Sequence, residues 1–142
     1  MNLAIALLVS SVFVLLALLH FYMALRPRYG NAGAVPSMQG KPLFVPSRAA
    51  TVAVGMVLLL FAGLVAATAH IVAVGVPEAV LSWLSFALAA GLLARAVGEF
   101  KYVGFFKRVR GSRFATLDTL IYSPLCLLLA IGVALVARHN GT

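Results

Sequence analysis

The polar side chains that could do chemistry lie near the ends of long apolar segments rather than in their middles. Arg95 and Glu99 are four residues apart, so on a helix they would share one face. Six such residues, drawn from three segments, fall at one common depth: His20, Tyr22, Arg95, Glu99, Asp118 and Tyr122. Ionisable groups inside a membrane are costly and generally face a partner or a wet cavity. This polar layer is therefore a candidate ligand-binding site, and the helix-breaking Pro124 favours that interpretation.

The same residues also have a purely structural interpretation. Arg95 and Glu99 can form an ion pair within one helix, while Tyr22 and Tyr122 can belong to an aromatic belt at the interface. Asp118 is favourable at the start of a helix, where the helix dipole is positive. Glu99 and Asp118 could instead act as acid and base, although the sequence gives no separation between them. These alternatives stay open, and no residue is assigned a catalytic role.

Familiar catalytic and metal-binding motifs are absent from the sequence. There is no G-x-S-x-G, no H-E-x-x-H, no phosphate-binding glycine loop and no C-x-x-C. His70, Glu78 and His139 lie at the opposite ends of their segments, and their spacing matches no metal-ligand pattern. Cys126 is the single cysteine and lies in an apolar run, which is typical of a packing residue. The sequence therefore predicts neither a metal nor a cofactor.

The composition indicates that lipid is the solvent of this chain. Of its 142 residues, 63% are hydrophobic and 10% are charged, whereas a soluble domain is roughly half apolar and about a quarter charged. A hydrocarbon layer about 30 Å thick requires about 20 helical residues. Four segments qualify, approximately 3–25, 49–74, 79–98 and 117–137. The sequence predicts one all-α domain over residues 1–142, an integral membrane four-helix bundle.

The first segment is predicted to be a retained helix rather than a signal peptide, because no basic stretch precedes it and its apolar run is long. Positive charges outside the spans are concentrated in two loops. The loop of residues 26–48, which includes Arg28, has four Lys or Arg residues and the loop of residues 99–116 has five, against Arg138 alone elsewhere. Cytoplasmic loops carry an excess of positive charge. Both loops are therefore predicted to be cytoplasmic and both termini outside, in the cytoplasmic (inner) membrane of a bacterium.

The net charge of +8 predicts an anionic partner. The chain has no nucleic-acid-binding module, so nucleic acid is not expected, and the anionic headgroups of membrane lipids are the predicted partner. The second and fourth helices both begin on the basic side, where their positive dipole ends would attract an anion. The residues predicted to contact anionic lipids are Arg48, Lys101, Lys107, Arg108, Arg110 and Arg113.

Small residues spaced four apart on three of the predicted helices suggest close helix packing, as for Ala87 and Gly91. These stripes could equally form the interface of a homo-oligomer. The loop from residue 26 to residue 47 is rich in Pro and Gly. Its apolar run Leu43, Phe44 and Val45 suggests that the loop folds back over the end of the bundle, with Ser47 as the N-cap of the second helix.

Several motifs in the sequence resemble one family of small membrane proteins. The longest is G-E-F-K-Y-V-G-F-F-K-R, beginning at Gly98, and it is followed by T-x-D ending at Asp118 and by Y-S-P-L-C beginning at Tyr122. L-H-F-Y-x-A-L, beginning at Leu19, and F-V-P-S, beginning at Phe44, are also similar. The family resembled is a bacterial family of four-pass membrane proteins classed as a domain of unknown function. The resemblance implies a fold and a membrane location, and it implies no activity.

Three functions are consistent with the sequence. The first is a non-enzymatic membrane protein that binds or moves a small, anionic or lipidic ligand through a polar pocket on the cytoplasmic side. The second is a membrane-embedded enzyme that acts on a lipid or an isoprenoid by acid–base chemistry, which requires His20, Glu99 and Asp118 to converge on one cavity. The third is an accessory subunit or assembly factor of a membrane complex. Because the outer half of the bundle is nearly all apolar, the sequence favours a pocket over a channel.

Overall fold

The computed structural model describes residues 2–26 and 33–140, and the predicted basic loop residue Arg28 lies outside them. The described chain is an all-α bundle with one small hairpin. Its elements are α1 (Asn2–Leu25), β1 (Ser37–Met38), β2 (Lys41–Pro42), α2 (Arg48–Thr68), α3 (Glu78–Val97), α4 (Arg113–Leu117), a π-helical turn (Asp118–Tyr122) and α5 (Ser123–Asn140). The last three elements run on without a break. Among the described residues, four helices are long and apolar enough to cross a membrane, which makes this a multi-pass membrane protein.

The exposed surface of the helices shows what surrounds them. Leu8, Leu15, Leu60 and Leu128 are each about two-thirds exposed, and they come from three different spans. Water would penalise this much exposed apolar surface, whereas hydrocarbon does not. These exposed apolar helix faces, which would be unfavourable in a water-soluble protein, are therefore the faces that contact lipid.

Two tight antiparallel helix pairs form the bundle. The most extensive contacts are those of α1 with α2 and of α3 with α5, and a smaller contact between α1 and α5 joins the pairs. The largest fully buried side chain is Phe13, which packs edge-on against Phe61 of α2 with 5.8 Å between ring centroids. Val65 and Val133 complete the centre of the core from α2 and α5. Because Gly55 of α2 has no side chain, α1 and α2 approach closely here, and the Phe21 ring of α1 occupies the space that a Cβ on Gly55 would need.

Two of the helix boundaries differ from the predicted ones. α2 ends at Thr68, before the predicted end at Val74, and the next residues form a turn in which His70 adopts a left-handed φ of 58°. The fourth span begins at Arg113, earlier than the predicted residue 117, because Ser112 caps it: its Oγ accepts a hydrogen bond from the Ala115 amide at 3.0 Å. Ser47 caps α2 in the same way, as the sequence predicts.

Both long connections lie at the same end of the bundle, which we call the basic end. One of them contains the β1–β2 hairpin, in which Ser37 pairs with Pro42 and Met38 with Lys41. The other covers residues 98–112 and folds back on itself through backbone hydrogen bonds such as Val109 N to Lys101 O at 2.8 Å. These two connections position the polar residues described next.

Candidate functional site

A buried carboxylate lies at the centre of the basic end. Asp118 is fully buried, and both of its oxygens accept hydrogen bonds. Oδ1 accepts from Arg95 Nη2 at 2.9 Å, while Oδ2 accepts from Lys107 Nζ at 3.0 Å and from the Gly104 amide at 2.7 Å. We call Arg95, Lys107 and Asp118 the ion triad. With two cations and one anion, it carries a net charge of +1.

Lys107 is built into this cluster. Its side chain is about 1% exposed, and its three ammonium hydrogens have three acceptors: Asp118, the Gly104 carbonyl at 2.9 Å and the Thr119 hydroxyl at 2.6 Å. An ammonium group has three donors and no acceptor, so its capacity is fully used. The Lys107 side chain does not reach the surface of the described structure, and its predicted contact with lipid headgroups stays a prediction.

A sharp turn between residues 98 and 107 delivers Lys107 and the Gly104 amide to Asp118. Gly98 and Gly104 both have left-handed φ angles, of 86° and 90°, and their backbones pass so close that a Cβ on either would collide with the other strand of the turn. The Phe105 amide donates to the Ala96 carbonyl at 2.9 Å and holds the turn against the end of α3. Glycine is required at both positions by conformation and by space.

The π-helical turn at Asp118 has a local cause in Pro124. Proline has no amide hydrogen and its ring collides with the carbonyl four residues earlier, so a regular α-helix cannot continue through it undisturbed. The chain widens instead, and the Ser123 amide donates to the Asp118 carbonyl five residues back. Such turns within α-helices are rare and frequently occur at functional sites. Here the turn joins α4, at the basic end, to α5 in the core.

The ion pair between Arg95 and Glu99 that the sequence allowed does not form. α3 ends at Val97 and Gly98 leaves the helix, so Glu99 no longer lies above Arg95 on the same face. Glu99 is exposed, and its Oε1 accepts a hydrogen bond from the Tyr102 amide at 2.8 Å. Arg95 pairs with Asp118 across to the fourth span.

The other members of the predicted polar layer are dispersed. His20 Nδ1 lies 2.7 Å from the Leu16 carbonyl of its own helix. Tyr22 is about half exposed, with the Arg26 guanidinium 5.9 Å from its ring centroid. Tyr122 is half-buried, and its hydroxyl donates to the Gly33 carbonyl at 2.9 Å. The structure thus brings together Arg95 and Asp118 of the six, with Tyr122 tying the first loop to the π turn.

An open pocket lies between the hairpin and the second loop, and we call it the hairpin pocket. It encloses about 530 Å³ and is lined by Ser37, Met38, Gln39, Gly40, Val109, Arg110, Gly111, Ser112 and Arg113. Arg110 and Arg113 are exposed, and there is no Asp or Glu among the described lining residues. Two of the six predicted lipid contacts therefore share one concave surface. Arg48, Lys101 and Arg108 are exposed elsewhere on the chain.

In the described part of the chain, no group of three or more His, Cys, Asp or Glu side chains is placed to hold a metal ion. His70 and Glu78 lie 3.8 Å apart at the opposite end of the bundle, and both side chains are mostly exposed. Cys126 is a free cysteine in α5.

Comparison with known proteins places the chain in a family. The model of a family described as a protein of unknown function, DUF3995, matches residues 13–133. The chain belongs to the DUF3995 family. The resemblance seen in the sequence to a membrane family of unknown function is thereby confirmed. No curated protein and no solved structure matches the chain.

The segment of this DUF3995 member that matches includes both the ion triad and the hairpin pocket. Several residues that build these features escaped sequence reasoning. Thr119 and Gly104 complete the bonding of Lys107 and Asp118, and Ser112 caps the helix that carries Asp118. The T-x-D motif that ends at Asp118 and the G-x-x-x-x-x-G spacing of Gly98 and Gly104 can be read in the sequence. Which atoms of these residues come into contact is evident only in the folded turn.

Proposed function

We propose that this protein is a non-enzymatic protein of the bacterial inner membrane that binds an anionic headgroup in the hairpin pocket. The observation that carries the proposal is the lining of that pocket, which includes two arginines and two serines around a volume of about 530 Å³. Guanidinium groups bind phosphate through paired, charge-assisted hydrogen bonds. A phosphate group with a small substituent is the chemistry that this surface fits.

The ion triad supports the pocket rather than serving as the binding site. Both oxygens of Asp118 and all three donors of Lys107 are already engaged. Breaking these bonds to admit a ligand would leave buried charges uncompensated, which is costly. The triad instead fixes the second loop, and Arg110, whose Nε lies 3.4 Å from the Lys107 carbonyl, is held next to it.

The enzyme alternative has less support from the geometry. It required His20, Glu99 and Asp118 to converge, yet their hydrogen bonds lead to three separate places: the α1 backbone, the Tyr102 amide and the ion triad. A transport function would need a polar path through the bundle, whereas most of the described buried residues there are apolar, and the buried hydroxyls of Thr68 and Ser85 are hydrogen-bonded to each other at 2.9 Å. Binding at the basic end is the function that the arrangement favours.

Native mass spectrometry with added lipids tests the proposal. We expect the wild-type protein to retain phosphatidylglycerol at least tenfold better than phosphatidylcholine. The double variant Arg110→Gln/Arg113→Gln should lose that preference, because each lost charged contact costs about 1.5 kcal/mol or more.

The matched control changes the same charge outside the pocket, in the double variant Arg26→Gln/Arg138→Gln. Both of these arginines are exposed, and neither lines the hairpin pocket. Retention in this control should stay within about twofold of wild type, since a surface charge away from the site contributes little. Equal retention of phosphatidylglycerol by the pocket variant and the wild type would overturn the proposal, as would an equal loss in both double variants.

A further inference from the structure

Three consecutive apolar side chains at the basic end are left largely uncovered by the residues that the structure describes. Leu43, Phe44 and Val45 are 42%, 58% and 76% exposed, and they follow directly after β2. Exposed apolar residues in a row within a connecting loop are unfavourable in water. Unlike the exposed leucines of the helices, these residues lie outside every span. Their environment must therefore come from their position relative to the membrane.

That position is fixed by the start of α2. Val45 is two residues before the N-cap Ser47, and a chain of two residues reaches at most about 7 Å. Val45 thus lies close to the start of the second span, and Leu43 and Phe44 directly precede it in the chain. Cationic side chains flank this run on both sides, Lys41 before and Arg48 after, and both are exposed. An aromatic and aliphatic run bordered by cations is the pattern of a segment in the interfacial layer of a membrane.

We infer that Leu43, Phe44 and Val45 insert into the interfacial layer of the same bilayer and that the hairpin pocket therefore receives its anion as a lipid headgroup rather than from solution. The second part of this inference rests on the proposed function. One rigid unit links the two surfaces: the hairpin is paired across Met38 and Lys41, and the Leu43 amide donates to the Pro36 carbonyl at 2.9 Å. One part of the hairpin lines the pocket while the next few residues enter the bilayer. The pocket is thereby held at the headgroup layer.

Tryptophan fluorescence tests the insertion directly. The chain has a single tryptophan, Trp83, in α3. In a Trp83→Phe background, Phe44→Trp is reconstituted into vesicles of phosphatidylcholine and phosphatidylglycerol with bromine on the upper acyl chain. We expect blue-shifted emission that brominated lipid quenches at least twofold and that aqueous acrylamide quenches weakly. Val45→Trp in the same background is a second reporter that keeps the test valid if one substitution disturbs the hairpin.

Emission typical of water, with strong acrylamide quenching and none from brominated lipid, would overturn the insertion. Protection from both quenchers that depends on the protein-to-lipid ratio would also overturn it, because a second copy of the chain would then cover the run. The wild-type protein provides the positive control, since Trp83 is 76% exposed on a membrane-spanning helix and should be quenched by lipid bromines.

The source of the anion is tested separately. Phe44→Ser should reduce phosphatidylglycerol retention about tenfold and leave the weaker binding of soluble glycerol phosphate and inorganic phosphate unchanged. Equal loss for lipid and soluble anions, or tighter binding of the soluble anions by the wild type, would contradict lipid delivery. Quenching of Phe44→Trp by lipid with no effect of Arg110→Gln/Arg113→Gln would leave insertion standing and remove the proposed function. The reverse result would remove insertion and leave the pocket.

Discussion

At the scale of single residues, Asp118 is the group on which the basic end depends. It is the shared counter-charge of Arg95 and Lys107, and it also accepts the Gly104 amide. A buried charge is tolerated only where partners compensate it. Because one carboxylate serves two cations, its loss leaves two charges unpaired, whereas the loss of either cation leaves a pair.

This asymmetry predicts a ranking of variants. Asp118→Asn keeps the shape of the side chain but leaves Arg95 and the buried Lys107 without an anion, so we expect a loss of roughly 3–5 kcal/mol in the free energy of unfolding. Lys107→Met should cost less, because Asp118 then still pairs with Arg95. Thermal unfolding in mild detergent, followed by circular dichroism, measures both.

Glu99→Gln is the matched control for the loss of an acidic charge. Glu99 is exposed and accepts one hydrogen bond from a neighbouring amide, so its neutralisation should change stability by less than about 0.5 kcal/mol. Equal stabilities of Asp118→Asn and Glu99→Gln would show that the ion triad does not hold the basic end together.

At the scale of elements, the turn of residues 98–107 decides whether the triad can form. Two of its glycines have left-handed backbones, and so does Gly111 in the hairpin pocket, with a φ of 93°. The surroundings differ, because no heavy atom of the described residues lies within 4 Å of a Cβ placed on Gly111, whereas one placed on Gly104 meets the backbone of Val97 and Gly98. The effect of the left-handed backbone and the effect of steric crowding can therefore be tested separately.

We expect Gly111→Ala to cost about 1–2 kcal/mol of stability, the penalty of a left-handed conformation alone. Gly104→Ala should lose the same conformational free energy and should also force two backbone segments apart. We therefore expect it to reduce stability clearly more than Gly111→Ala and to displace Lys107. Hydrogen exchange of the loop amides, compared with unfolding midpoints, would separate the two variants. Equal costs would mean that the close approach at Gly104 is not important for stability.

The same elements show how far sequence reasoning reaches. The spans, the N-cap Ser47 and the disturbance at Pro124 follow from local rules of hydropathy, capping and proline geometry, and they were predictable. The pairing of Arg95 was not, because the rule for residues four apart assumes that α3 continues to Glu99. Gly98 ends the helix first, and the guanidinium finds Asp118 across the bundle instead. Contacts that depend on a turn of unusual backbone angles are beyond local rules.

At the scale of the whole molecule, the glycines of the helices occupy two kinds of environment. Gly55 and Gly132 lie against Phe21 and Val9 of α1, where a larger residue would not fit, so these positions pack the bundle. Gly63 and Gly91 have no described heavy atom near the place of their Cβ. Gly91 lines an apolar groove of about 670 Å³ between α2 and α3. The small-residue pattern therefore combines internal packing with open surface, and a homo-oligomer at that surface remains a prediction.

The orientation of the whole molecule is also a prediction, and it follows from charge alone. In the sequence, nine Lys and Arg residues fall within the ranges 26–48 and 99–116, against Arg138 in the last turn of α5. Since positively charged loops are retained in the cytoplasm, the hairpin pocket should face the cytoplasm and the turn between α2 and α3 should face outwards.

Two single-cysteine variants in a Cys126→Ala background report on these sides: Met38→Cys in the hairpin and Val76→Cys in the turn. Both native side chains are partly exposed, at 49% and 41%.

A membrane-impermeant maleimide applied to intact spheroplasts should label Val76→Cys and leave Met38→Cys unmodified until the membrane is permeabilised. The opposite labelling pattern would place the pocket outside, where it would meet a different set of anions. Labelling of both variants in intact spheroplasts would indicate a dual orientation and weaken the charge argument itself. The expected pattern has a direct consequence for the pocket, because anionic lipids give the cytoplasmic leaflet its negative surface potential. The charge that orients the protein would then also concentrate the headgroups that we propose it binds.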